Sequence, residues 1–275
     1  MTITPPSLVE IARLVATEAG VLARRRRSEG VEVAASKSSV EDIVTFADRE
    51  SEVLIRSRLA ELRPNDGFYG EESRAEAGTS GLTWIVDPID GTVNYLYGIP
   101  QYAVSIAVVE GDPDPLTWRA LAGAVVSPAI GETFTATVGG GAFLDGSAIT
   151  VAPAVDLSQA LVGTGFAYLA DIRAEQALVL GGLLHRVRDI RRMGSAALDL
   201  CSVACGRLDA YYERGLSPWD HAAGALIASE AGARVAGMDG APASREFILA
   251  AAPLLAGRLE ELLREFEGRS ERVRH

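Results

Sequence analysis

The sequence predicts a layered α/β protein, and three observations support that fold class. The strands predicted in the first half are antiparallel, whereas strands and helices alternate in the second half. The composition is that of a globular protein. Hydrophobic residues make up 48% and charged residues 23% of the 275 residues. This length fits one large domain or two closely packed halves. We expect the division near Pro153, which gives halves at 1–152 and 153–275.

The first half is predicted to begin with two helices. Ser7 follows two prolines and precedes apolar residues at helical spacing, which is typical of a helix start. A second helix is predicted at 48–62, followed by a turn at 64–67. Strands are then predicted at 84–86, 102–109, 122–126 and 132–138. Glycines at 139–141 and the pair Asp145-Gly146 predict a hairpin. A nucleotide-binding glycine loop is disfavoured there, because no helical pattern follows.

The second half is predicted to alternate between strands and helices. Strands are predicted at 160–162, 187–191, 209–212 and 247–251. Helices are predicted at 175–184, 196–205 and 220–231, and a charged helix is predicted to end the chain. This alternation favours helices that pack against the faces of sheets.

The charge and the cysteine content exclude several classes of protein. The net charge of −11 argues against nucleic-acid binding. The basic run at 24–27 is predicted to end the first helix, where cations suit the helix dipole, rather than to bind a membrane or nucleic acid. No apolar run has membrane-spanning length, and no signal-peptide pattern is present. Cys201 and Cys205 are expected to be buried thiols rather than half of a metal site. Two cysteines indicate a reducing environment, so we expect a cytoplasmic protein.

Acidic residues at the ends of predicted elements are the candidate functional residues. Glu71 lies in GEES, and Asp87 and Asp90 lie in WIVDPIDGTVN after a buried strand. Pro88 bends the backbone between the two aspartates, so both carboxylates can converge on one point. Converging carboxylates repel each other, and a divalent cation removes that repulsion. Mg²⁺ prefers oxygen ligands and is commonly held by one or two carboxylates and a substrate phosphate.

Local alternatives apply to the WIVDPIDGTVN motif. Asp90, Gly91 and Thr92 could form an Asx-type turn, but that interpretation leaves Asp87 unexplained. If a helical turn begins after Asp90, the backbone N–H groups of Gly91 and Thr92 would suit a phosphate.

Capping is the alternative for the acids that precede predicted helices. Asp220 stands at the start of an apolar helix in SPWDHAAGALIASEAGA, where an N-terminal cap is expected. Asp42, Thr45 and Asp48 precede another helix and could be capping residues only. A functional role for these acids is favoured only because Glu71 and Asp87 occur in the same chain.

The combination of motifs resembles the inositol monophosphatase family. GEES, WIVDPIDGTVN and SPWDHAAGALIASEAGA are similar to three metal-site signatures of that family and stand in the same order. KSSVEDIVTFADRE and GSAALDLCSVACGRLDAYYERG extend the resemblance over about 35–251, and YGIPQYAVSI and GSAALDL resemble bacterial, particularly actinobacterial, members. The resemblance implies an α/β/α/β/α sandwich, a homodimer, and Mg²⁺-dependent hydrolysis of phosphomonoesters that lithium inhibits.

The resemblance also implies a role for each acid. The metal-binding groups it implies are Glu71, Asp87, the carbonyl of Ile89, Asp90 and Asp220. One ion would be held by Glu71, Ile89 and Asp90, and a second by Asp87, Asp90 and Asp220, so Asp90 would bridge them. Glu71 and Thr92 would orient the attacking water, with Asp48 behind Thr92.

Substrate contacts are implied in the same way. The N–H groups of Gly91 and Thr92 would hold the phosphate, and the other groups implied to bind substrate are Gly194, Ser195, Ala196, Glu213, Asp220 and Lys37. Two of these have simple alternatives, because Glu213 could be a solvated strand-end charge and Lys37 an exposed loop residue. Some inositol-preferring members carry histidine at the position of Ser217, so we expect the pocket rim beside Asp220 to differ.

The expected substrate is inositol-1-phosphate or a related small sugar or polyol phosphate. The alternatives within enzymes are histidinol phosphate, fructose 1,6-bisphosphate and 3′-phosphoadenosine 5′-phosphate. A catalytically silent metal- or partner-binding protein is disfavoured, because it should have lost one of the acids. A dinucleotide-binding enzyme is disfavoured because no G-x-G-x-x-G follows a strand.

Overall fold

The computed structural model describes residues 7–36 and 43–273, in which helices and sheets alternate in layers. The described helices are α1 Leu8–Glu29, α2 Phe46–Leu62, α3 Thr92–Tyr97, α4 Ala170–Leu183, α5 Ala196–Ala204, α6 Pro218–Glu230 and α7 Pro253–Val273. The strands of the first half are β1 Val33–Ser36, β2 Ile43–Thr45, β3 Gly67–Gly70, β4 Leu82–Asp90, β5 Ala103–Glu110, β6 Arg119–Ser127, β7 Glu132–Thr137, β8 Gly141–Leu144 and β9 Ser147–Ile149. Those of the second half are β10 Leu161–Thr164, β11 Asp189–Arg191, β12 Ala210–Glu213, β13 Arg234–Ala236 and β14 Ile248–Ala251.

Two large sheets follow from the two halves of the chain. The first has the order β3-β4-β5-β6-β7-β8-β9 and is antiparallel except for the parallel pair β3 and β4. The second has the order β11-β10-β12-β14-β13. In it β10 is parallel to β11 and β12, and β14 is antiparallel to β12 and β13. The short strands β1 and β2 form a separate antiparallel pair.

Three large apolar cores hold the layers together, and a smaller cluster contains Ile89, Tyr95 and Tyr102. One lies between the first sheet and the helices α1 and α2, where Ile55 packs with Trp84 and Val86. The central core contains Ile85, residues of α5 and α6, and residues of the second sheet. The third lies between the second sheet and the helices α4 and α7. Because both faces of β4 are covered, alternate side chains of the Trp84-Ile85-Val86 run enter different cores. The α/β/α/β/α order implied by the family resemblance is therefore confirmed.

Most predicted elements are present, with shifted ends. The helix predicted at 48–62 begins at Phe46, because Thr45 is its N-cap. The strand predicted at 84–86 extends from Leu82 to Asp90, since Pro88 lies at an irregularity of β4 and does not end it. The predicted hairpin is confirmed, with positive φ at Asp145 and Gly146. The strands β1, β2, β3 and β13 were not predicted.

Two further observations bear on the organisation of the chain. The central core draws residues from both predicted halves, and the boundary near Pro153 stays a prediction. Within the described ranges, no helix is both long enough and apolar enough to cross a membrane.

Candidate active site

The end of β4 brings two buried carboxylates to the same side of the sheet. Residues three apart in a regular strand face opposite sides. Between Asp87 and Asp90 the register shifts, because Asp87 pairs with Ser105 while Asp90 pairs with Ala103. This extra residue on β4 is a bulge, and it turns both side chains in one direction. Asp87 is 1% exposed and Asp90 is 8% exposed.

A third carboxylate comes from the first turn of α6. Ser217 is the N-cap of this helix and Pro218 its first residue, so Asp220 is the third residue and not the cap itself. The N–H of Ser217 donates to Asp220 Oδ2 at 2.6 Å, which fixes the carboxylate toward the end of β4. Asp87, Asp90 and Asp220 each offer an oxygen, and these oxygens lie within 4.8 Å of one another.

The electrostatics of this group favour a bound cation. Burial, together with repulsion from Glu71 and Asp90, raises the pKa of Asp87 well above its usual value. Burial also raises the pKa of Asp220 strongly and that of Asp90 to about 6. Glu71 follows β3, the parallel neighbour of β4, and lines the same cavity. A donor set made only of oxygen suits a hard divalent cation, so these residues fit the metal site that the family implies.

The N-terminus of α5 anchors Asp90. Ser195, the N-cap, donates from Oγ to Asp90 Oδ2 at 2.6 Å, and the N–H of Ala197 donates to the same oxygen at 2.7 Å. These bonds oppose the effect of burial on the pKa of Asp90. A backbone hydrogen bond from Ala196 acts on the pKa of Asp90 in the same direction.

A second hydrogen-bonded group lies behind the end of β4. Thr45 caps α2 and bonds to Asp48 through both its N–H, at 2.8 Å, and its hydroxyl. The Thr92 hydroxyl lies 3.2 Å from Asp48 Oδ1 and 3.1 Å from the Ile89 carbonyl oxygen. Burial raises the pKa of Asp48 to about 7, against the opposing effect of the Thr45 hydrogen bonds. Capping therefore explains only part of the contacts that Asp48 makes.

Gly91 allows two loops to touch at the cavity. Its φ of 92° is left-handed, and a Cβ at this position would lie 2.8 Å from the carbonyl oxygen of Gln101 and 3.1 Å from that of Gly194. The Asn94 amide donates to the carbonyls of Gln101 and Met193, each at 2.7 Å. The turn that begins α3 is thus fastened to the segment that begins α5. The helical turn predicted after Asp90 is confirmed as α3.

Glu213 forms a different wall of the cavity. It ends β12, and the Tyr211 hydroxyl donates to its carboxylate. Burial raises the pKa of Glu213 to about 7, while Tyr211 and Arg192 act in the opposite direction. A Cβ on Gly165 would lie 2.0 Å from Glu213 Oε2, so a larger residue at this position would displace the carboxylate. Glu213 thus borders the cavity and is not a freely solvated strand end.

Almost all predicted site residues that the structure describes line one cavity of about 660 Å³. The predicted residues that line it are Glu71, Asp87, Ile89, Asp90, Gly91, Thr92, Gly194, Ser195, Ala196, Glu213 and Asp220. Asp48 lies behind Thr92 and is not in the lining. Lys37 and Asp42 lie outside the described residues.

Sequence reasoning missed a large part of the cavity wall, including Gly165, Arg192 and Asp199. Asp199 is 2% exposed in the first turn of α5. The available signal was one acid within the apolar run SAALDLCSV, which an ordinary first-turn acid also explains. Gly165 and Arg192 carried no local pattern.

Comparisons with known proteins agree with the fold. A model of the inositol monophosphatase family matches residues 6–270. Inositol-1-monophosphatase SuhB of Mycobacterium tuberculosis is 45% identical, over 96% of each chain. A solved structure of Mycobacterium tuberculosis SuhB matches with a TM-score of 0.80, covering 96% of this chain and 98% of that one. A structure of extragenic suppressor protein suhB from Bartonella henselae matches with a TM-score of 0.83 at 34% identity, covering 92% and 97% of the two chains.

The layered fold and the buried acids of the cavity define a phosphoric monoester hydrolase that uses a divalent metal cation and a small phosphorylated substrate. The chain belongs to the inositol monophosphatase family. Neither a catalytically silent protein nor a phosphatase of another substrate branch is favoured by these findings.

Proposed function

We propose that this protein hydrolyses inositol-1-phosphate, or a closely related polyol monophosphate, with Mg²⁺ as its metal ion. The observation that carries the proposal is the group formed by Asp87, Asp90 and Asp220, whose oxygens converge within 4.8 Å. The cavity around them also contains Glu213, an acceptor suited to hydroxyl groups. Relatives named inositol-1-monophosphatase support the substrate.

The groups proposed to hold Mg²⁺ are Glu71, Asp87, the carbonyl of Ile89, Asp90 and Asp220. When bound there, Mg²⁺ would neutralise phosphate charge and lower the pKa of a water molecule. Asp90 would serve both ions, and the hydrogen bonds from Ser195 and Ala197 hold its carboxylate in place for that role. Glu71 and Thr92 are proposed to orient the water, and Asp48 to hold the Thr92 hydroxyl in place.

The substrate is proposed to lie between the phosphate-binding turn and the Glu213 wall. The N–H groups of Gly91 and Thr92 would bind the phosphate. Asp220, Glu213 and backbone groups of Gly194, Ser195 and Ala196 would meet the hydroxyl groups. The contribution of Ser195 must come from its backbone, since its hydroxyl donates to Asp90. A role for Lys37 in attracting phosphate stays a prediction.

A phosphate-release assay over a panel of substrates tests the proposal. The panel contains inositol-1-phosphate, histidinol phosphate, fructose 1,6-bisphosphate and 3′-phosphoadenosine 5′-phosphate, each with Mg²⁺ and with chelator. We expect Mg²⁺-dependent release with the highest kcat/KM on inositol-1-phosphate. A higher kcat/KM on another compound would overturn the substrate, and the absence of metal-dependent release from folded protein would overturn the reaction.

A homodimer, lithium inhibition and a cytoplasmic location remain predictions from the family resemblance and the sequence. Light scattering after size-exclusion chromatography measures the mass in solution, and a monomer near 29.0 kDa would contradict the dimer. Lithium titration in the same phosphate-release assay tests the inhibition.

A further inference from the structure

Asp199 lines the cavity but is not one of the groups proposed to hold the metal ion. Its side chain is 2% exposed, and Oδ1 is buried without a hydrogen-bond partner in the part of the chain that the structure describes. Leaving a buried carboxylate oxygen unpaired costs free energy, so such a group requires a physical explanation. Asp199 borders the same cavity as Asp90 and Glu213.

Helix capping does not explain this carboxylate. The first-turn N–H groups of α5 already have partners, because Ala197 donates to Asp90 and Leu198 donates to Ser195 Oγ. The N–H of Asp199 donates to the Ser195 carbonyl. The start of α5 is therefore satisfied by Asp90 and Ser195 without the Asp199 side chain.

The surroundings of Asp199 are those of a binding wall. Burial and repulsion from Glu213 and Asp90 raise the pKa of Asp199 well above its usual value. Attraction to Arg192 acts in the opposite direction. Arg192 is exposed and also lines the cavity. Two neighbouring carboxylates repel the phosphate of a substrate but accept hydrogen bonds from its hydroxyl groups.

We propose that Asp199 is a specificity-determining residue that, together with Glu213, accepts hydrogen bonds from hydroxyl groups of the bound polyol. This inference rests on the proposed function and adds Asp199 to the groups proposed there to meet the hydroxyl groups. The terminal torsion of an aspartate turns easily, so the Asp199 carboxyl group at the cavity wall can adjust to a hydroxyl donor. A site that pairs its buried acceptors with substrate hydroxyls rejects substrates that lack them.

The test compares kcat/KM for inositol-1-phosphate and for phenyl phosphate, which has no hydroxyl groups. In Asp199→Ala the ratio of the two values should fall about 10-fold, the effect of losing one hydrogen bond. The fall should appear mainly in KM for inositol-1-phosphate. Asp199→Asn keeps the shape and one acceptor oxygen, so its ratio should fall by about 3-fold.

Ser202→Ala is the matched control. Ser202 is buried, lies on α5 one turn beyond Asp199 and does not line this cavity, so the control should keep the parent ratio. Thermal unfolding of Asp199→Asn adds a measurement that does not depend on activity. We expect its Tm to equal or exceed the parent value, because an unpaired buried acid is removed.

Each outcome bears on one of the two proposals. If kcat/KM of Asp199→Ala falls equally on both substrates, or on neither, the ratio is unchanged and the role of Asp199 is overturned. A lower Tm in Asp199→Asn with an unchanged ratio would do the same and would indicate a structural role. If the parent protein releases no phosphate from inositol-1-phosphate, the proposed function fails, and the role of Asp199 fails with it.

Discussion

The helices α5 and α6 begin at the same cavity with serine N-caps, but they use different acids. In α6 the N–H of Ser217 donates to Asp220, which belongs to the first turn of the same helix. In α5 the Ser195 hydroxyl and the Ala197 N–H donate to Asp90, which lies more than 100 residues earlier at the end of β4. One helix start supplies its own acid, and the other holds an acid of the first sheet.

This difference shows how the two halves of the chain share one site. The positive end of a helix dipole stabilises a nearby carboxylate. Asp220 needs only the local geometry of α6, whereas Asp90 is positioned jointly by the bulge of β4 and by α5. Asp90 therefore links the first sheet to α5 as well as contributing an oxygen to the acidic group. A change at Asp90 should affect chemistry more than folding, provided that its hydrogen-bond acceptor is kept.

Asp90→Asn should give the largest effect. Its amide oxygen can still accept from Ser195 and Ala197, so α5 keeps its partner, but the charge proposed to bridge the metal ions is lost. We expect phosphate release to fall at least about 10³-fold, comparable with the loss of a major electrostatic group in an enzyme. Initial rates at saturating Mg²⁺ and a circular dichroism melt measure the two effects separately.

The control for this variant is Asp112→Asn, which changes the same charge in an exposed loop. It should match the parent in both measurements. Retention of more than a tenth of the parent activity by Asp90→Asn would contradict the proposed metal assignment. A large loss of melting temperature would show that Asp90 mainly supports the fold.

The serines of the two helix starts should differ in their effect on activity. In Ser195→Ala the side chain that donates to Asp90 is lost, so we expect activity to fall about 10-fold, as for one hydrogen bond to a charged group. In Ser217→Ala the backbone N–H that donates to Asp220 remains, so activity should fall less than about 2-fold. Each variant loses an N-cap side chain, at a cost of about 1 kcal/mol in the free energy of unfolding.

Measured together, the two serine variants separate capping from positioning of the acid. Urea unfolding gives the stability change, and kcat/KM gives the change in activity. Similar losses of activity in both variants would remove the distinction between the two helix starts. The distinction would also fail if the Ser195→Ala loss were fully explained by a smaller folded fraction.

The local parts of this site could be predicted from the sequence, and its long-range contacts could not. Asp220 before an apolar helix and Asp87-Pro88 after an apolar strand are short patterns with local physical causes. The hydrogen bond from Ala197 to Asp90 and the space that Gly165 leaves for Glu213 depend on how the sheets pack, which no short pattern records. The bulge in β4 could be predicted only in part. Pro88 indicates that the strand is irregular, but the sequence does not show which residues of β5 pair on either side of it.

The smallest predicted effect concerns the stability of the metal-free protein between pH 6.5 and 8. Burial raises the pKa of Asp48 and of Glu213 to about 7, above the values of unfolded chains. The folded state therefore holds protons that the unfolded state has released, and stability falls as pH rises through about 7. His221, whose pKa burial lowers to about 4, opposes this trend near pH 6.5, because the unfolded state still binds protons there, and its effect fades toward pH 8.

Differential scanning fluorimetry with chelator should therefore give a lower Tm at pH 8 than at pH 6.5. Addition of Mg²⁺ at pH 8 should raise the Tm by about 5 °C, because a ligand that binds only the folded state stabilises it. Asp90→Asn should lose most of this rise, while Ser217→Ala should keep it, since Asp220 retains its backbone partner. A Tm that rises with pH in chelator would contradict the raised pKa values of Asp48 and Glu213. An equal response to Mg²⁺ in parent and Asp90→Asn would mean that Asp90 does not help to hold the cation.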